Sequence, residues 1–329
     1  MTDPKQVPIA MQSPVTQTVG VDPWTSWGQT LKRPGPIIGM PNGVGVGDPG
    51  NYQGESYFSF SDPMQPIVTT HFVYFLSSIG LNYKGPGAPT MADAASGTMD
   101  QPWGDAAGKT RGAEGYGDPW TFPPLTEVRP SCIIRPGWEM TGDWYSWGMN
   151  APGQLAYPDW CTAFKTAYRR CVNLWREIMP TMPSVGSCFN PNGDYLTKGV
   201  NLDDFYPGDD IVDSIGVDIY DYPQWQGGMQ ADGVTPILSP QDRWDQFILP
   251  NLQAADAYAA AHGKQVCVPE AGAGEGGGDN PTFVTALAAW CASAQAPVNF
   301  IGWWGSGGYN SNLEDYPQQK AAFIAAFGG

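Results

Sequence analysis

The chain has 329 residues, a normal length for a single α/β barrel and long for one ordinary domain. Only 15% of the residues are charged, yet the formal balance is −16, so the surface repels phosphate backbones and anionic lipid and argues against nucleic acid as a partner. No apolar run reaches the roughly 18 residues of a bilayer span, which argues against membrane insertion.

The first residues, MTDPKQVPIAMQSPVTQTVG, lack the apolar core of a secretory signal. Residues 1–35 are polar, contain proline and show no period. They read as an arm or linker, expected to dock on its own barrel or on another protein chain. Residues 36–329 read as one barrel whose early strands the pattern does not assign. Within it, residues 82–125 are rich in Gly, Pro and Ala and read as a second irregular region, of the kind that builds walls or lids.

The stretch SCIIRPGWE (131–139) is a β-like run ending in an acid. A helix is expected from Asp159 to Met179, because Trp160, Phe164, Tyr168, Cys171, Trp175 and Ile178 recur at steps of three and four. SVGSCFNPN (184–192) is a strand that breaks at Pro191, and IVDSIGVDIYD (211–221) is another. Ser239 and Pro240 look like the N-cap and first turn of a helix closing near Gly263. KQVCVPEAG (264–272) is the next strand, and Asn280-Pro281 starts a further helix. VNFIGWWG (298–305) is the last strand, ahead of a helix from Gln318 to Phe327. Repeated strand–helix alternation argues a parallel sheet. At this length, without a glycine-rich nucleotide turn, the expected closure is a (β/α)8 barrel. The 42 glycines and 32 prolines imply long, shaped loops.

Six cysteines, Cys132, Cys161, Cys171, Cys188, Cys267 and Cys291, show neither CxxC nor metal-finger spacing. On one helix, Cys161 and Cys171 would be separated by roughly 15 Å of rise, beyond disulfide reach. Reduced, structural thiols are expected, with no metal and no cofactor.

In such barrels the reactive groups lie at the C-terminal ends of the strands. Glu139 and Glu270 each close a predicted strand, and two carboxylates at one mouth can divide acid and base work. Either alone reads equally as a solvated rim residue. Of the two histidines, His71 reads as a core residue and His262 as an exposed helix end, so a Ser-His-Asp triad or a histidine metal site is poorly supplied. GAGEGGGDN (272–280) lacks the lysine and hydroxyl of a phosphate loop and reads as a flexible connection. The chain carries 14 tryptophans. Trp144, Tyr145 and Trp147 follow Glu139, Trp225 follows the strand ending at Asp221, and Trp303 and Trp304 end the last strand. Aromatic faces suit the C–H faces of sugar rings, while Asn and Asp take hydroxyls, so the predicted partner is a saccharide.

IIRPGWEMTGDWYSWG, FNPNGD, YPGDDIVDSIGVDIYD and VPEAGAGEGGGDNPTF together resemble glycoside hydrolase family 26, β-mannanase-like retaining hydrolases with a (β/α)8 barrel. The likeness runs over about residues 130–305. It implies Glu139 as acid/base, Glu270 as nucleophile and Tyr220 as the tyrosine that steadies the nucleophile. Trp144 and Trp303 or Trp304 would be sugar platforms, and Trp138, Trp147, Asn190, Asn192 and Trp225 complete the predicted substrate-binding set. Arg135 is expected one layer deeper, paired with an acid, and Asp143, Asp218 and Asp221 are candidate hydroxyl ligands. In the implied mechanism Glu139 protonates the leaving oxygen while Glu270 attacks the anomeric carbon, with carboxyl groups about 5 to 5.5 Å apart. Two departures stand out: Trp138 replaces the histidine that typical mannanases of the family carry before the acid, and TGDW replaces the common NGDW. Mannan therefore does not carry over, and xylan, mixed-linkage glucan or a bacterial envelope glycan stay open. The competing reading is a glycan-binding or structural barrel in a larger assembly such as a phage tail. Either places the protein outside the cell or on a virion.

Overall fold

The structure, a computed structural model, describes residues 2–7, 9–12, 37–40, 72–82, 88–111, 131–178, 185–192, 200–274, 277–304 and 312–328. In chain order the strands are β1 (Ile9–Gln12), β2 (Ile37–Met40), β3 (Phe72–Ile79), β4 (Ser131–Pro136), β5 (Val185–Phe189), β6 (Ser214–Gly216), β7 (Ile219–Tyr220), β8 (Gln265–Gly272) and β9 (Val298–Trp303). The helices are α1 (Met91–Ser96), α2 (Asp100–Arg111), α3 (Tyr157–Ile178), α4 (Pro240–Arg243), α5 (Leu249–Ala261), α6 (Pro281–Ser293) and α7 (Pro317–Phe327). The described residues fall into two compact units, one drawn from 1–42 and 215–329, the other from 43–195 and 199–214.

In the second of these units β3, β4 and β5 form a parallel ladder, with Tyr74 opposite Ser131 and Cys132 opposite Val185. The expected helix is α3. Its periodic residues Trp160, Phe164, Tyr168, Cys171 and Trp175 are all buried, and Phe164 meets Phe189 of β5 and Phe205 edge-on. Residues 82–125 are not irregular throughout. α1 and α2 form there and lie against α3. Thr90 and Asp93 make a reciprocal capping box that starts α1. α2, DQPWGDAAGKTR, has poor helix propensity and is stabilised by packing instead. A Cβ at Gly104 would already touch Ile178 of α3 at 3.4 Å, so the glycine permits the close approach that the composition disguised.

In the other unit β1 pairs in parallel with β2 and β9, β9 with β8, and β8 with β7. The segment expected to be an irregular arm therefore contains a strand, flanked on both sides by others, and its Val7 and Ile9 are fully buried. Four residues, IAMQ, are too few to show a period. Residues 13–36 lie outside the described residues, as does His71. Ser239 accepts from the Asp242 amide and caps α4, which continues through a π-helical turn, Trp244–Ile248, into α5. Asn280 caps α6 in the same way. Trp303 of β9 packs against Phe283 of α6 and Phe323 of α7. Cys161, Cys171 and Cys291 are buried thiols. No described helix is long and apolar enough to cross a membrane.

Candidate functional site

Glu139 lies three residues beyond the end of β4, in a turn rather than on the strand. Among the described residues it is the one non-glycine with a left-handed backbone, φ +52. Such a conformation costs on the order of 1–3 kcal/mol and persists only where the surroundings enforce it. Here they do: the Glu139 amide donates to Asn190 O (2.7 Å), and the Gly137 amide donates to Ile79 O (2.7 Å). Gly137 itself, at φ +59, leaves no room for a Cβ, which would come within 2.8 Å of Leu81.

The rings around this turn divide into two kinds. Trp138 and Trp147 are buried and form a structural cluster with Tyr145. Tyr145 and Trp147 stack at 4.4 Å, and Trp138 Nε1 donates to Tyr145 Oη (3.0 Å). Trp147 Nε1 donates to Trp138 O, and Trp160 Nε1 to Trp147 O, which fastens the turn to α3. These two tryptophans therefore hold the loop, correcting their predicted place in the substrate-binding set. Trp144 alone of the three is exposed, at 41%. Its Nε1 donates to Glu139 Oε2 (2.8 Å), while Asn192 Nδ2 donates to Glu139 Oε1 (3.3 Å). The Trp144 ring lies directly over Gly142, where a Cβ would come within 2.5 Å of it. Thr141, the threonine that departs from the family's NGDW, accepts from the Asn192 amide and so fixes the backbone of that residue. Arg135 Nη1 donates to Asn190 Oδ1 (3.1 Å), both residues being buried, and the guanidinium sits 5.5 Å from the Trp138 ring centre. Asp143 is exposed.

Glu270 belongs to the other unit and lies on β8, 8% exposed, in a stretch where the register against β9 shifts between Val268 and Ala271. Such bulges re-aim side chains. Tyr220, on the neighbouring β7, donates its hydroxyl to Glu270 Oε2 at 2.7 Å. The next residue, Asp221, was a candidate sugar ligand, and the structure corrects this. It is 1% exposed and its carboxylate is fully engaged: Oδ1 accepts from Arg243 Nε (2.6 Å), and Oδ2 from Arg243 Nη2 (2.7 Å) and Asn280 Nδ2 (2.7 Å). Asp218 is buried as well. Trp303 is fully buried in the core and is no platform, whereas Trp304 is half-buried and its amide donates to Ala271 O, beside Glu270. Trp225 is 66% exposed. Arg243 escaped sequence reasoning because nothing local marks a buried arginine. Asn280 was legible only as a helix cap. Among the described residues no three His, Cys, Asp or Glu side chains gather as metal ligands.

Parallel strands alternating with helices, with glutamates at or just beyond the ends of β4 and β8, define the class: an α/β protein of barrel type. Residues 124–235, the stretch holding Glu139, Asn192 and Tyr220, match the model of glycosyl hydrolase family 26; Glu270 lies outside the matched residues. Endoglucanase H of Acetivibrio thermocellus is 27% identical over 152 residues, covering 46% of this chain and 15% of that protein. A mannan endo-1,4-beta-mannosidase of Bifidobacterium adolescentis is 23% identical over 199 residues, covering 58% of this chain and 18% of its own. The chain thus spans less than a fifth of the length of these curated relatives. Among solved structures, a double mutant of the Cellulomonas fimi endo-beta-1,4-mannanase aligns with a TM-score of 0.61 at 14% identity, over 98% of this chain and 71% of that one. The likeness shows the fold, the (β/α)8 barrel expected from the sequence.

Proposed function

We propose that the chain is a retaining glycoside hydrolase acting on a β-linked polysaccharide, with Glu139 as acid/base and Glu270 as nucleophile. The observation that carries the reading is Glu139 itself, held at a costly φ of +52 with donors on both carboxyl oxygens. A structural carboxylate has no need of that conformation. In the first step Glu270 attacks the anomeric carbon, the glycosidic bond breaks, and Glu139 gives its proton to the leaving oxygen. In the second, Glu139 takes a proton from water, whose oxygen displaces Glu270 from the same carbon with net retention. Tyr220 fixes the attacking oxygen pair through its hydrogen bond to Glu270. The names of the relatives favour a β-1,4-linked mannan or glucan, and a polysaccharide substrate suits an extracellular or virion-associated protein. Trp138 is buried, so its exchange for the family's histidine alters the support of the loop behind Glu139.

The test is hydrolysis of mannan, xylan, mixed-linkage glucan and bacterial envelope glycans by wild type, Glu139→Ala and Glu270→Ala. One glycan should be cut by wild type, with each variant at least about a hundredfold slower. For Glu139→Ala, azide with an activated aryl glycoside should restore turnover and yield a glycosyl azide of retained configuration. Binding of a glycan without cleavage by wild type would instead favour the glycan-binding barrel.

A further inference from the structure

We infer that the turn from Tyr222 to Gly228 is a preformed platform for a further pyranose unit of the glycan attacked at Glu270, with the Trp225 indole as its stacking face; this rests on the proposed hydrolase reading. Trp225 is 66% exposed, against 41% for Trp144 and 42% for Tyr157. Leaving that much apolar ring in water is unfavourable, and a pliable loop would fold it away. This loop is not pliable. The amides of Trp225 and Gln226 both donate to Tyr222 O (3.0 Å), and the Gly228 amide donates to Pro223 O (2.8 Å). Gly227, at φ +98, lies so close to Leu238 that a Cβ would come within 2.5 Å of its side chain.

The turn is also tied to the carboxylate. Gln226 Oε1 accepts from the Tyr222 amide (2.8 Å), and its Nε2 donates to Tyr220 O (2.7 Å). Tyr220 is the residue whose hydroxyl holds Glu270. Three rings therefore run in contact from the carboxylate outward: Tyr220 to Tyr222 at 5.7 Å, and Tyr222 to Trp225 at 4.7 Å. Tyr222 is buried and serves as backing, which leaves Trp225 to meet the ligand. An open indole offers an apolar face to the C–H side of a sugar ring. The chain's balance of −16 disfavours sulfated or phosphorylated sugars as the unit bound. Gln226 is a positioning residue, acting through Trp225.

The experiment uses β-1,4-linked manno- and gluco-oligosaccharides from dimer to hexamer, with the full chain as wild type, Trp225→Ala, Gln226→Ala and Val234→Ser. Affinity is measured by calorimetry with Glu270→Gln added to each, and kcat/KM is measured without it. Trp225→Ala should reduce the preference for long over short oligosaccharides about tenfold in both measurements, the scale of one aromatic stacking contact. Gln226→Ala should lower the same preference although the indole remains, and Val234→Ser, exposed on the Met229–Pro236 hairpin that follows the turn, should not. If wild type cuts glycan and Trp225→Ala keeps its length preference, the platform is refuted and the hydrolase reading survives. If wild type binds but does not cut, and Trp225→Ala loses the preference, the platform stands and the hydrolase reading fails. If nothing binds, or if Trp225→Ala only dissolves a self-associated form seen by sedimentation, the platform is refuted.

Discussion

Replacing Asp221 with alanine removes the acceptor of three hydrogen bonds, two from Arg243 and one from Asn280, and leaves a guanidinium that is 1% exposed facing a void. Arg243 keeps only its bond to Leu238 O from Nη1 (2.6 Å). Breaking a buried pair from one side costs about 3–5 kcal/mol, because the surviving charge has lost its partner without regaining water. The stranded Asn280 amide places this site in the upper half of that range. The main-chain amide of residue 221, which alanine retains, donates to Gly272 O two residues beyond Glu270, so a shift of this residue on losing its side-chain bonds carries to β8 and activity should fall alongside stability. Urea unfolding followed by tryptophan fluorescence measures the loss. The companion double variant, Asp221→Leu with Arg243→Met, removes both charges and should recover most of it, since apolar replacement of a buried ion pair is often near neutral. A cost below about 1 kcal/mol for Asp221→Ala, or a double variant no more stable than the single one, would refute the claim that this pair holds the end of β7 through its desolvated charge.

Trp144→Phe keeps a ring over Gly142 but deprives Glu139 Oε2 of its donor. A hydrogen bond to the carboxylate that forms as Glu139 gives up its proton is worth about 1.5–3 kcal/mol, so kcat on the cleaved glycan should fall at least about tenfold, and an unchanged kcat would assign Trp144 to binding alone. At the tip of the hairpin after β7, the Thr235 hydroxyl and amide and the Val234 amide lower Asp232 from 3.8 to about 2. The folded value lies below the unfolded one, so the local stabilisation is fully present above 3.8 and is lost as pH falls toward 2. The protection factors of the Val234 and Thr235 amides, their NMR exchange rates taken relative to the intrinsic rate at each pH, should fall across that window and stay level above it.

What the sequence determined was what repeats or signals locally. The three-and-four spacing of Trp160 to Trp175 marked α3, and Ser239-Pro240 and Asn280-Pro281 marked helix starts. The motif around Tyr220 and Glu270 named two residues that turn out to be 2.7 Å apart at their oxygens, although 50 positions separate them. What only tertiary structure decided was exposure and partnership. Trp138, Trp147 and Trp303 read like Trp144 and Trp225 in sequence, yet the first three are buried and the last two exposed. A ring's role depends on which surfaces meet it, and those come from distant segments. β1 and α2 were hidden for the same reason, one stabilised by strands on both sides and the other by α3. Asp221 looked like a hydroxyl ligand until Arg243 and Asn280, 22 and 59 residues away, were brought to it. Local propensity and periodicity act along the chain, whereas burial and ion pairing act across it, so only the folded chain fixes them.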